Sequence, residues 1–179
     1  IVDGADRMQK LIKALLMYSR TGCGEIYKEV NMETILQQVL NDLDRVIEQR
    51  YARITFTPLP TIMAHPVQMG QLLQNLIDNA LKFCIDKIPQ IHIAAELKDG
   101  YWLFSVKDNG IGINPQHKER IFQVFQRLHT QEEYEGTGIG LAICQKIVTH
   151  HKGKLWVQSE PNQGSTFYFT IPQGDENEV

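Results

Sequence analysis

The sequence predicts an α+β fold, a two-layer α/β sandwich in which a mixed, mostly antiparallel sheet carries helices on one face. Two observations indicate this class. Segments with the helical repeat of apolar residues are interspersed with strand-like segments, and a turn dipeptide, Asp99-Gly100, joins two runs that alternate with a period of two. The composition agrees, because 179 residues with 42% hydrophobic and 22% charged residues are typical of one globular domain with a short appendage.

Charge, hydropathy and cysteine content limit the partners and the cellular compartment that we expect for the protein. The net charge of −3 provides no general attraction to nucleic acid or to an anionic membrane surface. No apolar run is long enough to span a bilayer, so we expect no membrane contact. Cys23, Cys84 and Cys144 are far apart and odd in number, which indicates a reducing, cytoplasmic compartment rather than a disulfide framework.

A leading helix is predicted for residues 1–20, where apolar residues fall on one helical stripe. The stripe consists of Met8, Leu11, Ile12, Leu15 and Leu16. Two glycines in segment 21–25 would end this helix at a hinge. A helix of this length is marginal alone, so the stripe should pack either on its own domain or in a helical dimer stalk.

The next elements are two amphipathic helices separated by a strand. The first helix is predicted over 31–50, where Asn31 is suited to cap it, and the strand over 52–60, where prolines end it. The second helix is predicted over 65–84, and Pro66 suits its first turn.

The remaining elements complete the sandwich. A β-hairpin is predicted over 91–108, a short helical patch over 115–127 and a further helix over 138–151. The last elements are a closing strand pair, KLWVQS and STFYFTIP, and a disordered tail at 173–179.

A polar stripe runs along the helix predicted for 65–84. Gln71, Asn75, Asn79 and Lys82 recur at intervals that place them on one face. Asn inside a helix costs up to about 0.7 kcal/mol relative to Ala, so two of them one turn apart need a reason. Amide oxygens followed by a cation suit a magnesium ion held together with substrate phosphates. The alternative is a solvated polar face.

The second strand of the hairpin ends in an acidic residue. Its alternating positions are Trp102, Phe104, Val106 and Asp108. The period of two directs the Asp108 carboxylate to the same face as the three apolar side chains, where it needs a donor such as the exocyclic amine of adenine. Gly110 and Gly112 would then let the backbone approach the base. Alternatively, the strand ends earlier and Asp108 caps a turn.

A second glycine cluster, GTGIGLAI at 136–143, is neither of the two common phosphate loops. No Gly-Lys-Ser/Thr follows it, and the dinucleotide spacing fails from Gly136 and from Gly138. What remains is a glycine-rich entry into a helix, where free N–H groups and the helix dipole favour phosphate. Glycines that serve tight packing are the alternative.

The segment between the glycine clusters has the character of a lid. Phe122 and Phe125 lie three apart, flanked by Ile121 and Val124, and a long polar stretch follows. A short apolar helix inside a mobile loop can pack differently when ligand is bound, with Arg127 contacting phosphate. A small satellite core beneath a surface loop is the alternative.

Taken in order, these motifs resemble the ATP-binding catalytic domain of bacterial sensor histidine kinases. NLIDNALKF resembles the N box of that family, DNGIGI the first glycine box, IFQVFQRL the F box, GTGIGLAI the second glycine box and GSTFYF the last one. The resemblance covers roughly 26–172 and implies a Bergerat-type ATP-binding fold. Residues 1–20 resemble the second helix of the dimerisation and phosphotransfer stalk, and FQRLHTQEEYEGTGIGLAI is especially similar to phytochrome-like sensor kinases.

The resemblance also implies roles for individual residues. Asn79 would be the Mg²⁺ ligand, Lys82 would contact phosphate, and Asp108 would read the adenine amine of ATP. The implied catalytic set is Asn75, Lys82 and Arg127. The other implied nucleotide-binding positions are Phe83, Gly110, Gly112, Phe125, Gly136, Thr137, Gly138, Gly140, Leu141 and Ser165.

Position 75 separates this chain from related ATPases. Gyrase-type, mismatch-repair and chaperone ATPases of the same fold carry a glutamate there that activates water. Because Asn75 cannot act as a general base, transfer of the phosphoryl group to a protein is favoured over hydrolysis.

One part of the family pattern is missing. The six histidines are His65, His92, His117, His129, His150 and His151, and none lies on the leading helix or in the acceptor motif of the family. We therefore expect that this chain does not phosphorylate itself. The implied partners are a stalk domain with the acceptor histidine, a response regulator and, in the full-length protein, a second subunit. The alternatives are an ATP-binding module of a degenerate or phosphatase-biased kinase and an anti-sigma-type serine kinase.

Overall fold

The computed structural model describes residues 27–124 and 138–174, together with Ile12 and Leu16. Both of these isolated positions are helical and half exposed. The rest of the leading helix predicted for 1–20, the predicted hinge at 21–25 and the last five residues of the predicted tail lie outside the described residues.

Four helices and seven strands form the described part of the chain. The helices are α1 (Met32–Asp42), α2 (Asp44–Gln49), α3 (Pro66–Lys82) and α4 (Gly140–His150). The strands are β1 (Lys28–Asn31), β2 (Arg53–Phe56), β3 (Thr61–Ala64), β4 (Gln90–Lys98), β5 (Tyr101–Asp108), β6 (Leu155–Glu160) and β7 (Gly164–Pro172). Two short 3₁₀ turns, Pro115–His117 and Arg120–Phe122, follow β5.

The main sheet has five strands in the order β2-β4-β5-β7-β6, and β1 pairs with β3 in a separate antiparallel ribbon. Only the β2–β4 pair of the main sheet is parallel, so the predicted mixed, mostly antiparallel sheet is confirmed. The predicted hairpin turns at Asp99 and Gly100, whose φ angles of 51° and 78° suit a tight hairpin turn.

The core lies between the helices and one face of this sheet. Phe104 of β5 and Phe169 of β7 are neighbours in register, and their rings stack at 4.7 Å between centroids. The opposing face of α3 is apolar and buried. It consists of Met69, Leu72, Leu73, Leu76, Ile77 and Ala80. Each large side chain fully buried here contributes about 1.5–3 kcal/mol. The predicted α+β sandwich is therefore confirmed.

The predicted start of the first helix agrees with the structure, but the single helix predicted over 31–50 is wrong. Asn31 caps α1, because its Oδ1 accepts from the backbone N–H of Thr34 at 3.0 Å. The helix ends at Asp42, and α2 begins at Asp44. Leu43 between them is buried and its φ and ψ of −96° and 0° leave the helical geometry. The core contact of Leu43 therefore outweighs continuation of the helical repeat.

Three further predictions need correction. The strand predicted over 52–60 covers only Arg53–Phe56, since the prolines beyond it lack the N–H that a ladder needs. Strands β1 and β3 were missed, because four residues give too short an alternation to recognise. In the described part of the helical patch predicted over 115–127, two 3₁₀ turns form, and Gln123 is already extended at φ −80° and ψ 146°.

Candidate functional site

Asp108 ends β5 on the core face, as the alternation predicted. Its side chain is 8% exposed, and Oδ1 accepts from the backbone N–H of Gly110 at 2.8 Å and of Ser165 at 3.1 Å. Burial raises the pKa of the Asp108 carboxyl above its ordinary value, although the two amide donors partly offset this. Among the described residues, both hydrogen bonds of the carboxylate fall on Oδ1, so Oδ2 is the oxygen that can accept from a ligand. The turn-capping alternative is also present, in the bond to Gly110.

The glycines after Asp108 are required by contacts within the protein. A Cβ on Gly110 would lie 2.7 Å from the carbonyl oxygen of Phe83, and one on Gly112 would lie 1.9 Å from that of Glu160. Gly112 also has a φ of 71°. The N–H of Ile111 donates to the carbonyl of Phe83 at 3.0 Å, which fixes this loop against the end of α3.

The polar stripe of α3 lies at the boundary between core and solvent. Gln71, Asn75, Asn79 and Lys82 are all half buried, between the buried apolar face and the exposed outer face. Asn75 Nδ2 donates to the carbonyl oxygen of Gly140 at 3.4 Å, so the stripe lies against the start of α4. Lys82 Nζ lies 5.0 Å from the ring centroid of Phe83, which is also half buried.

The N-terminus of α4 provides donors on the same side. Gly138 has a φ of 70°, and among the described residues no side chain caps the helix that begins at Gly140. The first N–H groups of a helix have no partner within it and carry its positive dipole end. A Cβ on Gly140 would lie 3.4 Å from Asn75 Oδ1, so glycine permits the close contact with α3. Leu141 is partly buried and packs on the core.

A cluster of hydroxyl groups adjoins Asp108, and sequence reasoning found only half of it. Ser165 was predicted, and it is buried. Ser159 of β6 was missed. It is paired in register with Ser165 of β7, and the two Oγ atoms lie 2.9 Å apart. The signal was available, because Leu155, Val157 and Ser159 alternate in phase and place a serine on the core face.

Part of the predicted site lies outside the described residues. Phe125, Arg127, Gly136 and Thr137 all fall there, and so does most of the predicted lid. The described start of that segment packs on the domain. Ile121 is buried, and the ring of Phe122 meets that of Phe167 edge-on at 6.5 Å. For these two residues the satellite-core alternative describes the contact.

The described residues could hold a magnesium ion only together with oxygens of a bound ligand. Within 27–124 and 138–174, no three His, Cys, Asp or Glu side chains are grouped to hold a metal. A cation at the stripe would depend on the amide oxygens of Asn79 and Asn75 and on oxygens of a bound ligand, which is how Mg²⁺ is commonly held beside phosphates. The same ranges contain no helix with the length and apolar character that a membrane span needs.

Comparison with known proteins identifies the family. The model of the histidine kinase-, DNA gyrase B- and HSP90-like ATPases matches residues 64–175, which contain Asp108, the polar stripe and both serines. The chain belongs to this family. Its relatives include cyanobacterial phytochrome A of Nostoc sp., which is 52% identical over 97% of this chain and 23% of that protein. The chain thus spans less than a quarter of the length of that relative.

Solved structures agree with this placement. Full-length ShkA in complex with AMPPNP matches with a TM-score of 0.79 and 30% identity, over 95% of this chain and 36% of that one. The catalytic domain of the histidine kinase ThkA matches with a TM-score of 0.71 and 30% identity, over 82% of this chain and 95% of that one. Within its family, the chain is therefore an ATP-binding domain of the sensor-kinase group, and the likeness to phytochromes predicted from its sequence is confirmed.

Proposed function

We propose that this domain binds Mg-ATP and transfers its γ-phosphoryl group to a histidine on a stalk domain, for relay to an aspartate of a response regulator. The observation that carries the proposal is the buried Asp108 carboxylate, held through Oδ1 beside a helix with a stripe of amide side chains. A buried acceptor suits the base of a nucleotide, and amide side chains with a lysine suit its metal ion and phosphates.

Asp108 is the proposed adenine contact. Two backbone N–H groups orient the carboxylate, so its remaining oxygen is set before a ligand arrives. The exocyclic amine of adenine donates, whereas the keto oxygen of guanine accepts. An acceptor fixed in a buried position therefore favours adenine, because an unpaired polar group in such a place costs about 1–3 kcal/mol.

The stripe of α3 and the start of α4 are the proposed contacts of the triphosphate. Asn79, with Asn75 beside it, would hold Mg²⁺, which would supply charge neutralisation on the phosphate oxygens when bound. Lys82 would contribute a mobile cation, and the uncapped N–H groups of α4 would donate to phosphate. Phe83, Gly138 and Leu141 border these groups.

Asn75 favours phosphoryl transfer over hydrolysis. Its Nδ2 donates to the carbonyl oxygen of Gly140, which orients the amide. An amide cannot take a proton from water, so the side chain positions groups without activating a nucleophile. Catalysis then consists mainly of positioning and charge neutralisation, to which we propose that Arg127 of the lid contributes.

The wider organisation remains part of the proposal. Residues 1–20 would be the second helix of the stalk, 21–25 a hinge, 26–172 the catalytic domain and 173–179 a tail. The full-length protein would be a cytoplasmic homodimer. Phe125, Gly136 and Thr137 would complete the nucleotide site from the lid.

Phosphotransfer in trans tests the proposed function. The chain is mixed with a separately produced stalk domain of a related sensor kinase that carries its histidine, together with radiolabelled Mg-ATP. We expect acid-labile, base-stable label on the stalk, as phosphohistidine requires. Nucleotide binding without any labelled stalk, over a series of stalks from close relatives, would favour a degenerate or phosphatase-biased module instead.

A further inference from the structure

Ser159 connects three separate parts of the site through one oxygen. Its Oγ accepts from the N–H of Ile113 at 2.8 Å, donates to the carbonyl oxygen of Gly164 at 2.8 Å and lies 2.9 Å from Ser165 Oγ. The side chain is buried. The first glycine loop, the β6–β7 turn and the hydroxyl beside Asp108 therefore share this atom.

Counting protons assigns the direction of each of these bonds. A serine hydroxyl has one proton and two lone pairs. The carbonyl of Gly164 can only accept and the N–H of Ile113 can only donate. Ser159 therefore donates a hydrogen bond to Gly164 and uses one lone pair to accept from Ile113. Its remaining lone pair faces Ser165, and the Ser165 hydroxyl must be the donor in that contact.

The direction of the Ser159–Ser165 bond matters for a ligand. Once the Ser165 proton is used, that hydroxyl can only accept from any further group. Ser165 lies beside Asp108, to which its backbone N–H donates. A ligand that reaches both residues would meet two acceptors, Asp108 Oδ2 and Ser165 Oγ, and no hydroxyl donor from this pair.

We propose that Ser159 is a positioning residue for base selection. By accepting a hydrogen bond from the Ser165 hydroxyl, it leaves that hydroxyl able only to accept from a ligand beside Asp108. This inference rests on the proposed function, because it concerns the base of the bound nucleotide. The amine at position 6 of adenine carries two N–H donors, which two acceptors satisfy. A keto oxygen at that position meets two acceptors and is rejected.

The loop around Ser159 is held tightly enough to maintain this arrangement. Asn162 in the β6–β7 turn donates its N–H to the carbonyl of Ile111 at 2.6 Å. A Cβ on Gly164 would lie 2.1 Å from the carbonyl oxygen of Asp108, so the turn and the end of β5 are in direct contact. The backbone that carries Ser159 and Ser165 is therefore fixed against the first glycine loop and the end of β5.

Titration calorimetry with ATP and inosine triphosphate tests the inference on the 179-residue chain. Inosine carries a keto oxygen at position 6 where adenosine carries the amine. In Ser159→Ala the Ser165 hydroxyl loses its hydrogen-bond acceptor, so it can rotate and donate to that keto oxygen. We expect the preference for ATP over inosine triphosphate to fall about tenfold, with inosine triphosphate binding more tightly than it does to the wild type.

Control variants separate orientation from general damage. Gln158→Ala changes an exposed neighbour on β6 and should leave both affinities unchanged. In a Ser165→Ala background, adding Ser159→Ala should have no further effect on the preference, because no hydroxyl is left to orient. If Ser159→Ala does not fold by thermal melting, Ser159→Cys keeps a similar size with a weaker acceptor for the Ser165 hydroxyl and should shift the preference in the same direction by less.

The contrary results are distinct. If Ser159→Ala weakens both nucleotides equally, Ser159 has only a structural role and the inference is wrong. If the wild-type chain binds neither nucleotide, the proposed function fails and the inference fails with it. If the wild type binds both nucleotides equally, no base selection exists and the inference is wrong, whereas the proposed function is still judged by phosphotransfer.

Discussion

The N–H of Ser165 on β7 donates to Oδ1 of Asp108 on β5 at 3.1 Å, across the centre of the sheet. The bond joins residues 57 positions apart in the chain. It fixes one carboxylate oxygen and orients the other, so the proposed recognition of adenine depends on the register between two strands as much as on the acid itself.

Asp108→Asn should change how stability depends on pH. Burial raises the pKa of the wild-type carboxyl in the folded state, so that state binds more protons than the unfolded state between the ordinary and the raised pKa. Wild-type stability therefore falls as the pH rises through this window, whereas the asparagine does not titrate. We expect the free energy of unfolding of Asp108→Asn, relative to the wild type, to increase as the pH rises from about 4, the ordinary pKa of an aspartate, through the raised pKa.

Urea unfolding of the ligand-free proteins at several pH values measures this difference. The contributions of all other ionisable groups are common to both proteins, so they cancel in this difference. A constant difference over the whole range would show that the Asp108 carboxyl titrates normally.

Gly112→Ala should be strongly destabilising. Its Cβ would lie 1.9 Å from the carbonyl oxygen of Glu160, and the φ of 71° adds strain. Gly100 is a matched control, since it has a φ of 78° but nothing within 4 Å of the added atom. Gly100→Ala should cost about 1–2 kcal/mol from strain alone, and Gly112→Ala at least about 2 kcal/mol more. Equal losses in chemical denaturation would mean that the loop moves freely to make room.

The sequence predicted the parts of this fold whose patterns are long. The apolar face of α3 repeats over 17 residues, and β4 and β5 alternate over nine and eight residues around a turn dipeptide. Strands β1 and β3 have four residues each and are defined by pairing with each other, which no local pattern reveals.

The candidate site was predictable to the same extent. Asp108 stands out because an acid in phase with Phe104 and Val106 is costly without a partner, and the structure places it in the core. The reason for Gly110 and Gly112 was not predictable, because it depends on the distant carbonyls of Phe83 and Glu160. Ser159 could have been found from its phase on β6, but its three partners come from the tertiary fold.

Cys144 should resist alkylation in the folded protein. Burial raises the pKa of its thiol to about 12, although a hydrogen bond with Asn75 lowers it in part. Because the thiolate is the reactive form, raising the pH from about 7 to about 9 should leave Cys144 unmodified by iodoacetamide while the fold is intact. Peptide mass spectrometry with and without urea measures this. Modification at a rate that rises with pH but not with urea would show an accessible, normally titrating thiol.

The chain alone should not label itself with radioactive ATP. None of its six histidines belongs to the acceptor motif of the family that it resembles, and the proposed reaction requires such a histidine on a stalk. Filter binding or gel autoradiography under alkaline conditions measures any phosphohistidine. His117→Ala and His150→Ala serve as controls that should make no difference. Stable label on the purified wild-type chain would place an unexpected acceptor within it.

Asn79→Ala should remove the contribution of magnesium to nucleotide binding. Asn79 is half buried on the stripe of α3, and its side-chain oxygen is the protein ligand proposed for the ion. In calorimetry, ATP should bind the wild type more tightly with Mg²⁺ than with excess chelator. This gap should shrink at least about tenfold in Asn79→Ala.

The exposed Gln74, one position before Asn75 on the same helix, provides the control Gln74→Ala, which should keep the gap. Phosphotransfer to an added stalk should be lost in Asn79→Ala alone. An Asn79→Ala protein that keeps both the magnesium effect and the transfer would remove the metal assignment while leaving the adenine contact at Asp108 in place.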